Sequence, residues 1–368
     1  MNKTDTIDVA FIGHPSSFSH IVKLIEDMDG PEAARRVARN EKSFAAFLDW
    51  MPSNITHHRP IIELNGVTVR AAMVVCWFLP QIINHRHKLK LAVAKVLEGV
   101  DIAAGMGAQV ASLGGFTSIL AGRRRFDAAD AAGITLTAGN ALTAGLAVAR
   151  LRDELEARRR PIEGETIAII GASGDVGATA AALLGDEPGR LLLVARDQER
   201  LEKVRINLGH PNSACVSLAE AVAQASSILV ATSASEPILT SDDVAPGTII
   251  LDLGYPPTTS VAPDSRVTVM RAGLAQFPAA IQIGAYSRLS QPNHLFGCST
   301  EGVVLAARPE LRHLARAQGQ AGKTEALALL NAALALGIKP TAEVLSSGMP
   351  TPASIILPRS ELYSAIAT

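Results

Sequence analysis

The sequence predicts an α/β fold: an N-terminal α/β domain, a doubly wound middle domain and a mostly helical C-terminal segment. Three observations predict it. Strand-like and helix-like stretches alternate over most of the 368 residues. A glycine-rich turn, GASGDVG at Gly171 to Gly177, stands between an apolar run and a helical pattern. Apolar residues make up 48% and charged residues 19%, the balance of a chain that builds cores and not of a disordered or collagen-like one. The expected spans are 1–160, 161–290 and 291–368.

The N-terminal third opens with an apolar strand, Ile7 to Ile12, and a turn at Gly13-His14-Pro15. Ile61 to Leu64, Asn65-Gly66 and Val67 to Val69 read as a hairpin, whose Asn-Gly suits a type I′ turn. A long helix is expected from Ala71 to Val100, kinked at Pro80. Strands follow at Ala108 to Leu113 and Ile134 to Thr137, then a helix from Ala141 to Arg159. His14 follows a strand end, where it is either a pocket residue or a turn residue with a satisfied ring.

The middle third is clearer. Thr166 to Ile170, Leu191 to Val194, Ala214 to Val216, Ser226 to Ala231, Thr248 to Asp252 and Val267 to Met270 supply six strands. With helices at Gly174 to Leu184 and Gln198 to Leu208, this is a doubly wound sheet of Rossmann type. Gly171, Gly174 and Gly177 let the backbone turn sharply and approach a pyrophosphate. Ser173, Asp175 and Val176 complete the loop, and the helix start offers N–H groups to the anion. The next strand ends in Val194-Ala195-Arg196-Asp197. Arg196, where NAD enzymes usually place an acid, suits a 2′-phosphate, so NADPH is expected over NADH; Asp197 dissents. Arg200, one helical turn on, either assists or faces solvent. Thr232-Ser233 and Gly254-Tyr255 end later strands at the crevice where ribose and nicotinamide lie.

From Gln291 the chain reads as helical, with an Ala/Leu-rich helix at Lys323 to Leu336 and an irregular last 20 residues. Cys298 falls at a helix start in Phe296-Gly297-Cys298-Ser299-Thr300-Glu301, a position that favours thiolate. Position alone leaves it open between a nucleophile and a small core residue. Glu301 shares its helix face, either to handle a proton or to complement the dipole. Cys76 and Cys215 read as structural.

Other classes are disfavoured. Mean hydropathy is +0.23, yet no apolar stretch reaches about 18 residues, so no transmembrane helix is expected. Met1 to Phe11 lacks the basic and apolar regions of a signal peptide. The net charge of −1 gives no case for nucleic acid. Three scattered cysteines make neither a disulfide framework nor a zinc site, and a reducing cytoplasm is the expected compartment. The histidines at 57–58 and 85–87 come without a ligand set, so no metal is expected. Two basic patches, Arg123 to Arg125 and His85 to Lys90, are either solvated faces or docking sites for an acidic partner.

The strings ASLGGFTSI (Ala111 to Ile119), FIGH (Phe11 to His14), FLP (Phe78 to Pro80), TAGN (Thr137 to Asn140), VARDQERL (Val194 to Leu201), GYP (Gly254 to Pro256) and FGCSTE (Phe296 to Glu301) occur along the chain with GASGDVG. In this the chain resembles the long-chain acyl-acyl-carrier-protein reductases of cyanobacteria, from about Phe11 to Ala342. The resemblance implies NADPH-dependent reduction of an acyl thioester, carried by an acyl carrier protein or coenzyme A, to the aldehyde. It implies Cys298 as the nucleophile, with the Cys-x-x-Glu spacing to Glu301 kept. Gly114 to Ser118 and Thr137 to Asn140 would line the acyl side of the cleft, with Thr117, Ser118 and Asn140 as candidate oxyanion donors. Two other readings remain. One is an NADP-dependent dehydrogenase of shikimate-dehydrogenase or glutamyl-tRNA-reductase type, without an acyl-enzyme. The other is an NADPH-binding regulatory protein without turnover.

Overall fold

The computed structural model describes residues 6–121, 133–234, 236–263 and 265–346. The patch at Arg123 to Arg125 and the last 20 residues lie outside them. The chain forms two compact units, and both are discontinuous. Among the described residues, one comprises 6–121, 133–139 and 277–318; the other comprises 140–234, 236–263, 265–276 and 319–346.

The first unit begins with β1 (Val9–Gly13), followed by helices α1 (Phe18–Asp29), α2 (Pro31–Arg39) and α3 (Glu41–Phe47). Strands β2 (Asn54–Ile55), β3 (Ile61–Leu64) and β4 (Val67–Val75) come next, then α4 (Leu89–Gly105), β5 (Val110–Leu113), α5 (Phe116–Ala121) and β6 (Thr135–Thr137). The sheet runs β2-β4-β1-β5-β6 with β3 on β4. Strands β4, β1, β5 and β6 are parallel. The chain steps from β1 to β4 on one side and then crosses to β5 on the other. Its topological switch point therefore lies between the carboxyl ends of β1 and β5, where open α/β sheets place ligands.

Two expectations fail here. Ala71 to Val75 is not helix but the end of β4, in register with β1 from Val9↔Ala71 to Gly13↔Val75. A parallel strand buried on both faces is a continuous apolar run, and period does not separate it from a buried helix. The helix begins only at Leu89. The hairpin is where expected, with Leu64 opposite Val67. Of its two turn residues, however, only Gly66 has positive φ, so the turn is not type I′.

The second unit begins with α6 (Asn140–Ala157). Then come β7 (Thr166–Ile170), α7 (Asp175–Leu184), β8 (Arg190–Val194), α8 (Gln198–Leu208), β9 (Ser213–Cys215) and α9 (Leu218–Gln224). Strands β10 (Ser227–Val230), β11 (Leu239–Thr240), β12 (Ile249–Asp252), β13 (Thr259–Ser260) and β14 (Thr268–Gln276) follow. Order β14-β12-β10-β7-β8-β9, all parallel, is the doubly wound arrangement expected. Its core gathers Ile170, Leu192, Ile228 and Ile250 from neighbouring strands.

The chain then returns to the first unit with β15 (His294–Phe296) and α10 (Gly297–Ala307), which packs on β1, β4, β5 and β6. It ends in the second unit with α11 (Lys323–Ala335) and β16 (Lys339–Val344), antiparallel to β14. The boundaries at 160 and 290 are therefore displaced, and the C-terminal segment is not a separate body. The helical period of α6, α10 and α11 is visible in the sequence, but what each buries its apolar face against is not. Helix α6 lies on α7, α11 and β14.

Asp252, at the end of β12, is fully buried. Its carboxylate accepts the N–H groups of Gly254 (2.8 Å), Thr258 (2.7 Å) and Thr259 (2.6 Å), and the Thr258 hydroxyl (3.1 Å). It thereby folds the turn that carries Gly254 and Tyr255. Burial pushes its carboxyl above the usual range, against those bonds. Asp252→Asn turns one acceptor into an NH₂ group facing N–H donors. The expected cost is roughly 1–3 kcal/mol, read as a lower unfolding midpoint.

Candidate functional site

Each unit carries one half of the candidate chemistry at its own switch point. In the second unit, this lies between β7 and β10. Gly171, at the end of β7, has φ 89°. A Cβ there would stand 2.3 Å from the Ala231 carbonyl at the end of β10. A Cβ on Gly177 would stand 2.3 Å from the Gly171 carbonyl. The loop is thus folded flat onto backbone, as a pyrophosphate cradle requires. The first turn of α7, through Asp175 and Val176, supplies the N–H groups that a helix leaves without internal partners. Ser173 and Gly174 are half-buried on this loop. The Asp175 carboxylate accepts the Gly319 N–H at 3.2 Å. These residues fit a dinucleotide.

The specificity end is equally plain. The Asp197 side chain caps α8, accepting the Arg200 N–H at 3.0 Å. The dissenting acid is a helix cap, so its acceptor oxygen serves the helix. Arg196 and Arg200 are exposed and enter no ion pair among the described residues. Thr232 and Tyr255 are half-buried, Ser233 is exposed and Gly254 is buried, all just beyond β10 and β12.

In the first unit, Cys298 is the second residue of α10 and is half-buried. The Ser112 hydroxyl on β5 donates to its carbonyl at 2.7 Å. The sulfur lies 3.7 Å from where a Cβ on Gly114 would stand, at the end of β5. This puts the thiol at the β1–β5 switch point. Behind it, the Thr137 hydroxyl donates to the buried Glu301 carboxylate and accepts the Gly139 N–H at 3.0 Å. Gly139 has φ 68°, and a Cβ on it would fall 2.1 Å from the Cys298 Cα. No other residue type fits that turn.

The helix-start position expected for Cys298 is present, but its expected effect on the thiol is not the dominant one. Burial raises the thiol above its ordinary value. Hydrogen bonding from Ser299 and from the Gly115 backbone opposes this, and the Glu301 charge adds to it. Two of the three candidate oxyanion donors, Thr117 and Ser118, differ from expectation. The Thr117 hydroxyl is committed to the carbonyls of Gly114 (2.8 Å) and Ile12 (3.3 Å). The Ser118 hydroxyl is committed to the Gly115 carbonyl at 2.9 Å. Asn140 opens α6 in the other unit. The groups that favour the thiolate are the Gly115 backbone and Ser299, which the motif contained but did not single out.

His14, beyond β1, is buried, and burial drives its pKa down to about 4. Cys76 is a fully buried core thiol, pushed up to about 12. Cys215 is half-buried against Glu202, and its thiol is pushed up to about 11. His85 and His87 are exposed, and Lys88 pairs with Asp49 at 2.7 Å. None of the described helices is long and apolar enough to cross a membrane.

The family described as shikimate / quinate 5-dehydrogenase matches residues 154–269, which lie within the second unit. The chain is similar to a long-chain acyl-[acyl-carrier-protein] reductase of Synechococcus elongatus. It is 25% identical over 303 residues, covering 78% of this chain and 86% of that protein. This bears out the resemblance read from the motifs. It is also similar to the aminotransferase PigE of a Serratia species, 24% identical over 80% of this chain. The match spans only 35% of PigE. Among solved structures, the Salmonella enterica yhdH oxidoreductase in complex with NADP is 21% identical, with a TM-score of 0.24. That match covers 31% of this chain and 35% of that one. The Thermococcus litoralis Δ(1)-pyrroline-2-carboxylate reductase in complex with NADH and L-proline is 19% identical, with a TM-score of 0.25, over 32% of this chain and 35% of that one.

Two outcomes are expected from this geometry. Because the Cys298 thiol is raised, its alkylation rate should still be climbing at the ordinary thiol pKa of about 8.5. A plateau near pH 7 in a rate–pH profile would contradict this. Gly139→Ala should displace the start of α10, slow that alkylation and cost roughly 1–3 kcal/mol in thermal unfolding.

Proposed function

We propose that this protein reduces an acyl thioester to the aldehyde with NADPH, by way of an acyl group held on Cys298. The observation that carries the reading is Cys298 itself: a half-buried thiol at a helix start, at the switch point of the first sheet. The similarity to the acyl-[acyl-carrier-protein] reductase supports it.

The Cys298 thiolate attacks the thioester carbonyl carbon. The new C–S bond forms as the bond to the carrier sulfur breaks, and the carrier leaves as a thiol after taking a proton. NADPH, when bound at Gly171–Gly177 and Arg196, supplies the hydride that reduces the acyl–Cys298 thioester. Breaking the C–S bond to Cys298 then frees the aldehyde and returns the sulfur as thiolate. The partial burial of Cys298 limits access of water, which would hydrolyse the acyl-enzyme. Hydrogen bonding from Ser299 and the Gly115 backbone stabilises the sulfur when it leaves as thiolate. The Glu301 carboxylate, tied to the Thr137 hydroxyl, anchors the helix from within. The carrier is an acyl carrier protein or coenzyme A, and the exposed His85, His87 and Lys90 suit an acidic carrier.

Intact-protein mass spectrometry with a panel of acyl thioesters, without NADPH, tests the acyl-enzyme. Wild type should gain the mass of the acyl group and Cys298→Ala should not. Adding NADPH should remove the increment and release aldehyde. No increment with any thioester, alongside hydride transfer to a keto acid, would replace this reading with the direct dehydrogenase one. For the cofactor, Arg196→Ala should raise KM for NADPH by about tenfold or more and leave KM for NADH nearly unchanged. An equal rise for both would remove Arg196 from 2′-phosphate recognition.

A further inference from the structure

The ring of His14 stands just beyond β1, at the same crevice as Cys298, yet the proposed reaction gives it no task. Its placement is fully determined. Phe78 stacks on it with centroids 4.8 Å apart and planes at 20°, and Phe116 tilts against it at 5.6 Å. Nδ1 lies 2.9 Å from the Pro15 carbonyl, which can only accept, so Nδ1 carries the proton. Nε2 is then bare, and it accepts the Phe116 N–H at 3.0 Å.

We infer that His14 is a positioning residue for Cys298: by accepting the Phe116 N–H at Nε2, it fixes the Gly114–Gly115 turn that lies against the sulfur. The inference rests on Cys298 being the reacting thiol. Several hydrogen bonds hold the Gly114–Gly115–Phe116 turn. The Gly114 N–H donates to the Ile12 carbonyl at 2.8 Å. The Thr117 hydroxyl returns to the Gly114 carbonyl. The imidazole holds the Phe116 N–H. On the peptide directly after Gly115, His14 takes the N–H while the Ser118 hydroxyl takes the carbonyl at 2.9 Å, so the two together set where the Gly115 backbone points. A backbone donor is useful to a thiol only if its direction is fixed in advance.

The ring must stay neutral to do this, because an imidazolium would set an N–H against the Phe116 N–H. Burial keeps it neutral. The neighbouring titratable ring, His20 on α1, is held in the same way. Its Nδ1 accepts the Ser16 N–H at 3.1 Å, and its Nε2 donates to the Ala285 carbonyl at 2.8 Å. Arg288 and Lys23 add positive charge beside His20, which disfavours a proton there.

The experiment is alkylation of Cys298 by iodoacetamide in the full chain at pH 8, read by peptide mass spectrometry. It needs neither NADPH nor an acyl donor, so a failure to observe acyl-enzyme leaves it decisive. His14→Leu, which keeps bulk but has no acceptor, should slow alkylation by about tenfold. His14→Gln, whose amide oxygen reaches the place of Nε2, should stay within about threefold of wild type. A wild-type rate for folded His14→Leu overturns the inference. So does a His14→Gln rate as slow as that of His14→Leu. Should His14→Leu not fold, ¹⁵N NMR of the wild-type ring decides. A protonated Nδ1 and a bare Nε2 at pH 7 support the inference, and the opposite tautomer overturns it.

Discussion

The candidate chemistry of the first unit depends on one close approach, the Gly139 backbone against Cys298. Helix α10 can begin at the carboxyl edge of the sheet only because the turn after β6 presents no side chain there. The other anchors follow from that contact. With the two backbones touching, Ser112 reaches the Cys298 carbonyl, and Thr137 reaches both Gly139 and Glu301. The thiol is therefore located by backbone and by hydroxyls of adjacent parallel strands, elements that hold a position better than a loop can.

Both units use one topological rule. In each, a parallel sheet reverses its direction of growth beside its first strand, and the reversal leaves a crevice at the strand ends. The second unit lines its crevice with a glycine loop and a helix start, suited to a diphosphate. The first lines its own with Gly114, His14 and the start of α10, suited to a reacting sulfur. Folding the same physical device twice separates the candidate cofactor site from the candidate thiol site along the chain.

What was legible in the sequence follows from which interactions are local. The GASGDVG loop, its strand and its helix form one continuous stretch, so the residues from Gly171 to Gly177 declared themselves. Cys298 at a helix start was legible for the same reason, as Gly297 and the following period lie beside it. Non-local facts were not. Ala71 to Val75 reads as helix until β1 is known to lie alongside it. Asp197 reads as a ribose ligand until its carboxylate is seen capping α8. Thr117 and Ser118 read as donors to a substrate until their hydroxyls are seen returning to backbone carbonyls one turn earlier. The raised Cys298 thiol depends on burial by residues distant in sequence, which no local dipole argument could weigh. Asp252 gave no signal, because three of its four partners are backbone N–H groups.

The discontinuity of the two units also bears on how the chain is made. The first sheet is complete once residue 137 has been synthesised, but the helix that packs on it across β1, β4, β5 and β6 begins at residue 297. At about 5–20 residues per second, roughly 8–30 s of translation separate the two. Throughout that interval residues 140–276 of the second unit emerge, while Val9 and Ser112 wait for Gly302 of α10. The nascent chain thus carries an apolar sheet face for longer than most single domains take to fold, and this favours occupancy by a chaperone until α10 arrives. The same connectivity means that no single cut in the polypeptide releases either unit whole.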